Sequence, residues 1–262
     1  MDRRKRWLYG LIGALALLPT MGRTHPAAIG YSLRYQAGTR VHLITVNLND
    51  KDVKVVPLLA QGGLGRAESF RSIVSRARPD AAITGTYFGT RGLVPVGDLV
   101  VDGTFVHLGR AGTGLAITRD NTACLIPRQQ GRQSSWADYE TVICSGPSLV
   151  RGGRIVLDPK AEGFTSGAHF RLASRTAVGI TAHNKLLLAA VSKPIHLGRM
   201  ARIMKELGAV EAISLDGGSS AALSYGNSVI IPPARRLTHV LAVYSTRSKY
   251  HQVMTPRTTT AG

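Results

Sequence analysis

A carboxylate followed by two glycines and two hydroxyl side chains stands out in the last quarter of the chain. Asp216 follows the apolar run 213–215 and precedes Gly217, Gly218, Ser219 and Ser220. We expect the carboxylate to lie at the end of a buried strand, where the chain turns sharply and exposes backbone amides. This arrangement suits a polar or phosphorylated ligand, with Asp216 as nucleophile or general base. An ordinary Asp-Gly-Gly-Ser turn is the structural alternative.

Two further segments carry polar groups next to apolar runs. Arg175 and Thr176 enter the run 177–180, and an arginine there can present its planar guanidinium to a phosphate, although a surface ion pair is its commoner role. After the apolar residues 81–83 come Thr84, Gly85, Thr86 and Tyr87. We predict that these residues contact substrate, with a place in the core as the alternative for Tyr87.

A second carboxylate could act as an acid while Asp216 acts as a base or nucleophile. Asp98 is our leading candidate, with a role in a turn or at the surface as the alternative. A phosphate ester, however, leaves as a weakly basic anion and needs little help from an acid. A cation such as Arg175 could therefore replace the second carboxyl group, which fits a chain with only 15 Asp and Glu residues.

The order and spacing of these segments resemble the phosphodiester glycosidase family. The resemblance covers most of residues 40–245 and includes the runs 84–88, 95–103, 145–150, 175–179, 205–209 and 215–220. It implies hydrolysis of the bond between the anomeric carbon of a sugar and a phosphodiester. It also implies that Arg175, Asp216 and the turn 217–220 lie in the site. Thr84 stands where the family usually has Asn, and two glycines rather than three follow Asp216.

The charge of the chain indicates an anionic partner. The 262 residues include 33 Lys and Arg, and the formal net charge is +18. With 44% hydrophobic residues the chain has the composition of a folded protein, so the charge belongs to a packed surface that attracts nucleic acid, phosphorylated glycans or acidic lipids.

The first 22 residues narrow that choice. Arg3 to Arg6 precede an apolar run from Trp7 to Leu18, which Pro19 ends. This pattern is typical of a secretory signal peptide, with an uncleaved anchor as the alternative. We therefore expect an exported protein of the periplasm, cell envelope or extracellular space, with no nucleic-acid partner and with membrane contact only through this segment. Removing 1–22 leaves a formal charge of +15, so most of the charge stays with the rest of the chain.

Export also affects how the two cysteines are interpreted. Cys124 and Cys144 match no metal-ligand spacing, and in an oxidising compartment they could form a disulfide, with two reduced buried thiols as the alternative. The histidines are scattered along the chain and form no ligand pattern. We predict no required cofactor, although Asp216 and its neighbouring hydroxyls could hold a divalent cation.

The elements that position these groups are mainly short strands. Strands are predicted at 41–48, 53–59, 81–83, 99–101, 105–106, 116–117, 124–126, 176–181, 186–191, 210–215 and 240–244, and helices at 67–78 and 197–207. Many paired strands with few helices favour an α+β fold, with mixed, largely antiparallel sheets in a single domain over 30–245 and a frayed polar tail over 246–262.

Two classes of function fit these observations. The first is an exported hydrolase that cleaves a sugar-1-phosphodiester, with an N-acetylglucosamine-type sugar on a glycan or cell-envelope polymer as the candidate substrate. The second is a non-catalytic envelope protein that binds anionic polysaccharide through its basic surface, with Asp216 only stabilising a turn. Turnover distinguishes the two, because both depend on salt.

Overall fold

A computed structural model describes residues 27–128 and 135–254. Within these ranges the chain forms three antiparallel sheets with three flanking α-helices. The predicted α+β fold with largely antiparallel sheets is therefore confirmed. The signal peptide predicted at 1–22 lies outside the described residues. None of the described helices is long and apolar enough to span a membrane.

The first sheet has seven strands and supplies Asp216 and Arg175. Its central strands are hydrophobic on both faces, as expected for strands that are covered on both sides. From edge to edge it consists of β1 (Ile29–Gln36), β2 (Thr39–Asn47), β13 (Lys185–Ile195), β12 (Ala173–Thr181), β14 (Ala209–Ser214), β10 (Ser148–Arg151) and β11 (Arg154–Ile155).

The other two sheets have five strands each. The second consists of β16 (Ser228–Ile231), β15 (Leu223–Tyr225), β4 (Ala81–Thr84), β17 (His239–Tyr244) and β3 (Lys54–Leu59). The third consists of β6 (Thr104–His107), β5 (Leu99–Val101), β9 (Tyr139–Ser145), β7 (Thr113–Thr118) and β8 (Ala123–Pro127). The strands predicted at 41–48 and 53–59 are both present, but the turn between them leads from the first sheet to the second.

One apolar cluster joins the three sheets. It contains Ile44 and Ile213 of the first sheet, Ile83 of the second and Leu115 and Ile143 of the third, all fully buried. Because each sheet contributes one face to the same core, the ends of strands from different sheets are brought close together. The candidate site uses one of these junctions.

The helices cover the outer faces of two sheets. Helix α2 (Leu197–Glu206) packs its apolar side on the first sheet, and α1 (Phe70–Ala77) packs on the second. Both were predicted from apolar spacing. The segment predicted as a frayed tail instead begins with α3 (Arg247–Met254), whose Tyr250 is buried against Tyr244. Its other apolar residues, Val253 and Met254, are not buried, and ion pairs of Arg247 and Lys249 help to attach the helix.

The predicted disulfide is wrong. Cys124 lies on β8 and Cys144 on β9, and β7 runs between these two strands. Two strand spacings of about 4.8 Å place the two Cα atoms beyond the roughly 7 Å limit for a disulfide. Both cysteines are free thiols, and burial raises the pKa of Cys144 to about 12.

Candidate active site

Asp216 lies where the first and second sheets meet. Its backbone N–H donates to the carbonyl of Gly85, directly after β4, at 3.0 Å. Its own carbonyl accepts a hydrogen bond from Thr176 Oγ1 of β12 at 2.6 Å. Strands of both sheets therefore hold the main chain of Asp216, and the position of its side chain depends on how the sheets pack together.

The Asp216 carboxylate is buried and hydrogen-bonded through both oxygens. Only 5% of the residue is exposed. Oδ1 accepts the Gly217 N–H at 2.9 Å, and Oδ2 accepts Arg235 Nη2 at 2.9 Å. Burial raises the pKa of Asp216 above its ordinary value, and hydrogen bonds from Ser220 and Arg235 only partly oppose this effect.

Arg235 is a site residue that the sequence analysis missed. Besides Asp216, its guanidinium contacts Ser220 Oγ through Nε and stacks on the ring of Phe88, 4.2 Å from the ring centroid. The residue belongs to the loop between β16 and β17, outside the three segments singled out above. One arginine among 33 basic residues carries no local signal, and only the fold brings it to the carboxylate.

The two glycines after Asp216 serve different purposes. A Cβ at Gly217 would lie 2.6 Å from the carbonyl oxygen of Ser174, so this position permits a close approach of two chain segments. Gly218 has a φ of 56°, which favours glycine, and it begins a short 3₁₀ helix, Gly218–Ser220. In this turn Ser219 is exposed and Ser220 is buried.

Arg175 is buried without a carboxylate partner among the described residues. It is 4% exposed, and its guanidinium donates to the carbonyls of Ile195, Ala168 and Arg171. It is not bonded to Asp216, and the surface ion pair that we considered is not formed. Neutral carbonyls leave its charge uncompensated, although burial lowers its pKa. An anion beside it would restore the balance.

Tyr87 and His169 contact each other near these charged groups. Their rings meet edge to face with centroids 5.0 Å apart, and the Tyr87 hydroxyl lies 3.3 Å from Ser214 Oγ. Burial raises the pKa of Tyr87, so the phenol stays neutral. Burial and the charge of Arg175 lower the pKa of His169, and its buried Nδ1 has no hydrogen-bond partner within 27–128 and 135–254. In the sequence, His169 is one of several scattered histidines and carries no local signal of a site.

A cavity of about 480 Å³, which we call the Asp216 pocket, brings these groups together. Of the residues predicted to contact substrate or act on it, the lining includes Tyr87, Arg175, Asp216, Gly217, Gly218 and Ser219. Arg235, Phe88 and His169 also line it. The remaining predicted contacts, Thr84, Gly85, Thr86, Thr176 and Ser220, lie behind this surface.

A buried histidine, His239, supports the main chain behind the lining of the Asp216 pocket. His239 Nε2 accepts the backbone N–H of Thr86 at 2.9 Å, and Thr238 Oγ1 lies 2.8 Å from Nδ1. Burial lowers the pKa of His239 to about 3, so the imidazole is neutral and can accept at neutral pH. A Cβ at Gly85 would lie only 2.3 Å from this ring. His239 thus fixes the main chain that carries Tyr87 and accepts the Asp216 N–H.

The prediction that Asp98 is a second carboxylate of the site is not supported by its position. Asp98 is 1% exposed and does not line the Asp216 pocket. Its Oδ1 accepts Gly109 N–H and Arg128 Nη1, and its Oδ2 accepts Trp136 Nε1 at 2.9 Å. These donors satisfy both oxygens, so Asp98 ties together loops around the third sheet.

The site offers little to a metal ion. Across 27–128 and 135–254, no three His, Cys, Asp or Glu side chains gather into a group that could hold one. The Arg235 guanidinium already places positive charge on one oxygen of Asp216. That charge opposes a divalent cation at the position where we considered one.

Comparison with known proteins identifies the class. The phosphodiester glycosidase family model matches residues 77–244, more than half of the chain, and the chain therefore belongs to this family. No curated protein sequence matches it.

Solved structures share the fold at low sequence identity. A hypothetical protein from Synechocystis is 18% identical with a TM-score of 0.71, over 82% of this chain and 62% of that one. The catalytic domain of zebrafish N-acetylglucosamine-1-phosphodiester α-N-acetylglucosaminidase, auto-inhibited by its pro-peptide, is 22% identical with a TM-score of 0.67, over 85% of each chain. A Burkholderia pseudomallei protein is 14% identical with a TM-score of 0.59, over 78% of this chain and 74% of that one.

Proposed function

We propose that the protein hydrolyses the bond between the anomeric carbon of a sugar and the oxygen of a phosphodiester. In this reaction water adds a hydroxyl group to the anomeric carbon, and the aglycone leaves as a phosphomonoester. The observation that supports the proposal most is that one pocket is lined by the buried carboxylate of Asp216 and by the buried guanidinium of Arg175. Among the described residues, Arg175 has no carboxylate partner. Membership of the phosphodiester glycosidase family supports the same reaction.

The roles follow from the chemistry of the two ends of the scissile bond. The anomeric carbon gains positive charge in the transition state, and Asp216, in its ionised form, can stabilise it, attack it or activate water. The leaving phosphate carries negative charge, which Arg175 can stabilise. Asp216 is the sole carboxylate that lines the pocket among the described residues. A weakly basic leaving group is therefore the kind that this site serves best.

We propose an exported enzyme that acts on a sugar-1-phosphodiester of a glycan or cell-envelope polymer, without a required cofactor. The N-terminal basic and apolar pattern supports export, and the net charge of +18 supports a polyanionic substrate. The zebrafish protein with a similar structure is named as an N-acetylglucosamine-1-phosphodiester α-N-acetylglucosaminidase, which supports an N-acetylglucosamine-type sugar as the first to test.

The test compares Asp216→Asn with the wild type by release of reducing sugar from a panel of sugar-1-phosphodiesters. Asparagine keeps the size of the side chain but cannot ionise, and it offers one acceptor oxygen where the carboxylate offers two. We expect kcat to fall by roughly 10³-fold or more with little change in substrate affinity. Asp52→Asn, at an exposed position, is the matched control and should retain full activity.

Two results would contradict the proposal. The first is that wild-type protein binds these compounds yet releases no sugar from any of them, as a non-catalytic anion-binding protein would. The second is that Asp216→Asn and Asp52→Asn are equally active, which would mean that the carboxylate takes no part in the chemistry.

A further inference from the structure

A second cavity, of about 770 Å³, is larger than the Asp216 pocket. Three arginines contribute to its lining, Arg110, Arg128 and Arg151, and we call it the arginine pocket. Arg110 and Arg151 are exposed at its rim. None of its residues has a role in the reaction proposed above.

The two pockets share structural elements. Val96 lines the Asp216 pocket, and its carbonyl accepts the backbone N–H of Arg110 at 2.8 Å. The segment 158–169 contributes Glu162 to the arginine pocket and His169 to the Asp216 pocket. The linings of the two pockets are therefore joined through the Val96–Arg110 hydrogen bond and through the segment 158–169.

A buried polar network supports the wall of the arginine pocket. Ser148 Oγ, itself buried, lies 3.1 Å from Thr113 Oγ1, 3.0 Å from Glu162 Oε2 and 3.2 Å from Arg151 Nη2. Glu162 also accepts the Ser148 N–H at 2.9 Å. Such a network fixes the direction of the groups at the cavity surface.

Both acids of the arginine pocket accept hydrogen bonds from the protein, although Asp158 is exposed, whereas Arg110 and Arg151 keep donors to spare. Glu162 is bonded to Ser148, and Asp158 accepts the N–H of Ala161 at 3.1 Å. Arg128 is paired with Asp98. A guanidinium has five N–H groups, and Arg151 uses one of them in the contact with Ser148. No described side chain or carbonyl bonds to the guanidinium of Arg110, so its N–H groups are available to the cavity and to solvent.

We propose that the arginine pocket is a second anion subsite, which binds another phosphate group of the same substrate chain next to the phosphodiester that is cleaved. The inference rests on the proposed function and extends it to the substrate. Arg110 and Arg151 hold the phosphate, because guanidinium groups match phosphate oxygens in charge and spacing. The subsite makes the protein prefer a chain with repeated phosphates to an isolated sugar-1-phosphodiester.

The test measures the hydrolysis of two substrates by the wild type and by two double variants. One substrate is a sugar-1-phosphodiester with a methyl aglycone, and the other has the same sugar-1-phosphodiester with an aglycone that carries a second phosphate. For Arg110→Ala/Arg151→Ala, we expect the ratio of kcat/KM for the second substrate to that for the first to fall about tenfold or more, mainly through KM.

The matched control removes the same charge at the opposite edge of the first sheet. Arg34 and Arg40 are exposed on β1 and β2, and Arg34→Ala/Arg40→Ala should leave the ratio as in the wild type. An equal fall in both pairs would show that general charge, rather than a subsite, produces the preference. An unchanged ratio in Arg110→Ala/Arg151→Ala would also overturn the inference.

Binding to Asp216→Asn protein separates this inference from the proposed function. We expect calorimetric titration to show that the two-phosphate compound binds about tenfold more tightly than the methyl compound, and that Arg110→Ala/Arg151→Ala removes the difference. Inorganic phosphate that binds as tightly as the two-phosphate compound would identify a free-phosphate site and overturn the assignment. If the wild type cleaves neither compound, the proposed function fails, and the titration still decides whether the subsite exists.

Discussion

At the scale of single residues, Asp216 is a carboxylate whose ionisation is set by opposing effects. Burial disfavours its charge, whereas the Arg235 guanidinium and the Gly217 N–H favour it. A nucleophile or base must be ionised to act. The activity should therefore rise with pH through the pKa of Asp216, which lies above the usual value for an aspartic acid.

The first prediction concerns Arg235. Replacing it by Ala removes the positive charge next to Asp216. The pKa of the carboxyl then rises further, because the ionised form has lost a charge that stabilised it. The acidic limb of kcat/KM should therefore move to higher pH. A pH–rate profile between about pH 4 and 8 measures the shift. Arg236→Ala, at the exposed neighbouring position, should leave the limb unmoved, and equal profiles for both variants would contradict the role of Arg235.

The site residues that could be predicted from the sequence are those directly beside an apolar segment. Asp216 and Gly217 follow such a segment and Arg175 precedes one, so a charged residue or a glycine there is a local signal. Arg235 and His169 reach the pocket from loops that pack on it from elsewhere. For Asp98 the sequence did not reveal the buried surroundings, because its donors Gly109 and Trp136 come from separate loops.

At the scale of elements, the junction between β4 and β14 depends on the absence of a side chain at Gly85. The Gly85 carbonyl accepts the Asp216 N–H, and the His239 ring fills the space where a Cβ would be. The two strands belong to different sheets, so this contact is part of what aligns one sheet with the other.

The second prediction tests this junction by Gly85→Ala. The new methyl group would have to displace the His239 ring or the backbone, at a cost of about 1–3 kcal/mol in the free energy of unfolding. Gly89→Ala is the control, because a Cβ there meets nothing within 4 Å. Denaturant unfolding curves compare the two variants. Equal midpoints would mean that the close approach at Gly85 has no structural consequence.

Strands and helices were predicted where periodicity or turn residues mark them, as in α2 and in the β12–β13 hairpin. The sequence did not show which sheet a strand joins, because β2 and β3 are similar apolar segments that pair with different partners. Pairing depends on contacts between distant parts of the chain, which local patterns do not report.

At the scale of the whole molecule, a buried ion cluster joins the C-terminal helix to two sheets. Lys54 of β3 is 1% exposed and lies 3.0 Å from Glu140 of β9. Glu140 also accepts Arg247 of α3 at 2.8 Å. Over 247–254 the predicted frayed tail is instead a helix, held by these charges and by buried Tyr250, and residues 255–262 lie outside the described part of the chain.

The third prediction follows from that cluster. Glu140→Gln removes the negative charge between Lys54 and Arg247 and leaves Lys54 with Asp102 as its remaining anionic partner. We expect the free energy of unfolding to fall by about 3–5 kcal/mol. Arg247→Ala should cost less, because Lys54 keeps its pair with Glu140. Chemical denaturation measures both, and a smaller loss for Glu140→Gln than for Arg247→Ala would contradict this account.

In the proposed reaction the enzyme cleaves the bond between the anomeric carbon and oxygen, and not the bond between phosphorus and oxygen. Hydrolysis of a sugar-1-phosphodiester in ¹⁸O-labelled water tests it most directly, with the released phosphomonoester examined by ³¹P NMR and mass spectrometry. Cleavage at the anomeric carbon leaves the original oxygens on phosphorus, so we expect a phosphomonoester without ¹⁸O, formed by the wild type and not by Asp216→Asn. A phosphomonoester that carries one ¹⁸O would show attack at phosphorus and would contradict the glycosidase mechanism.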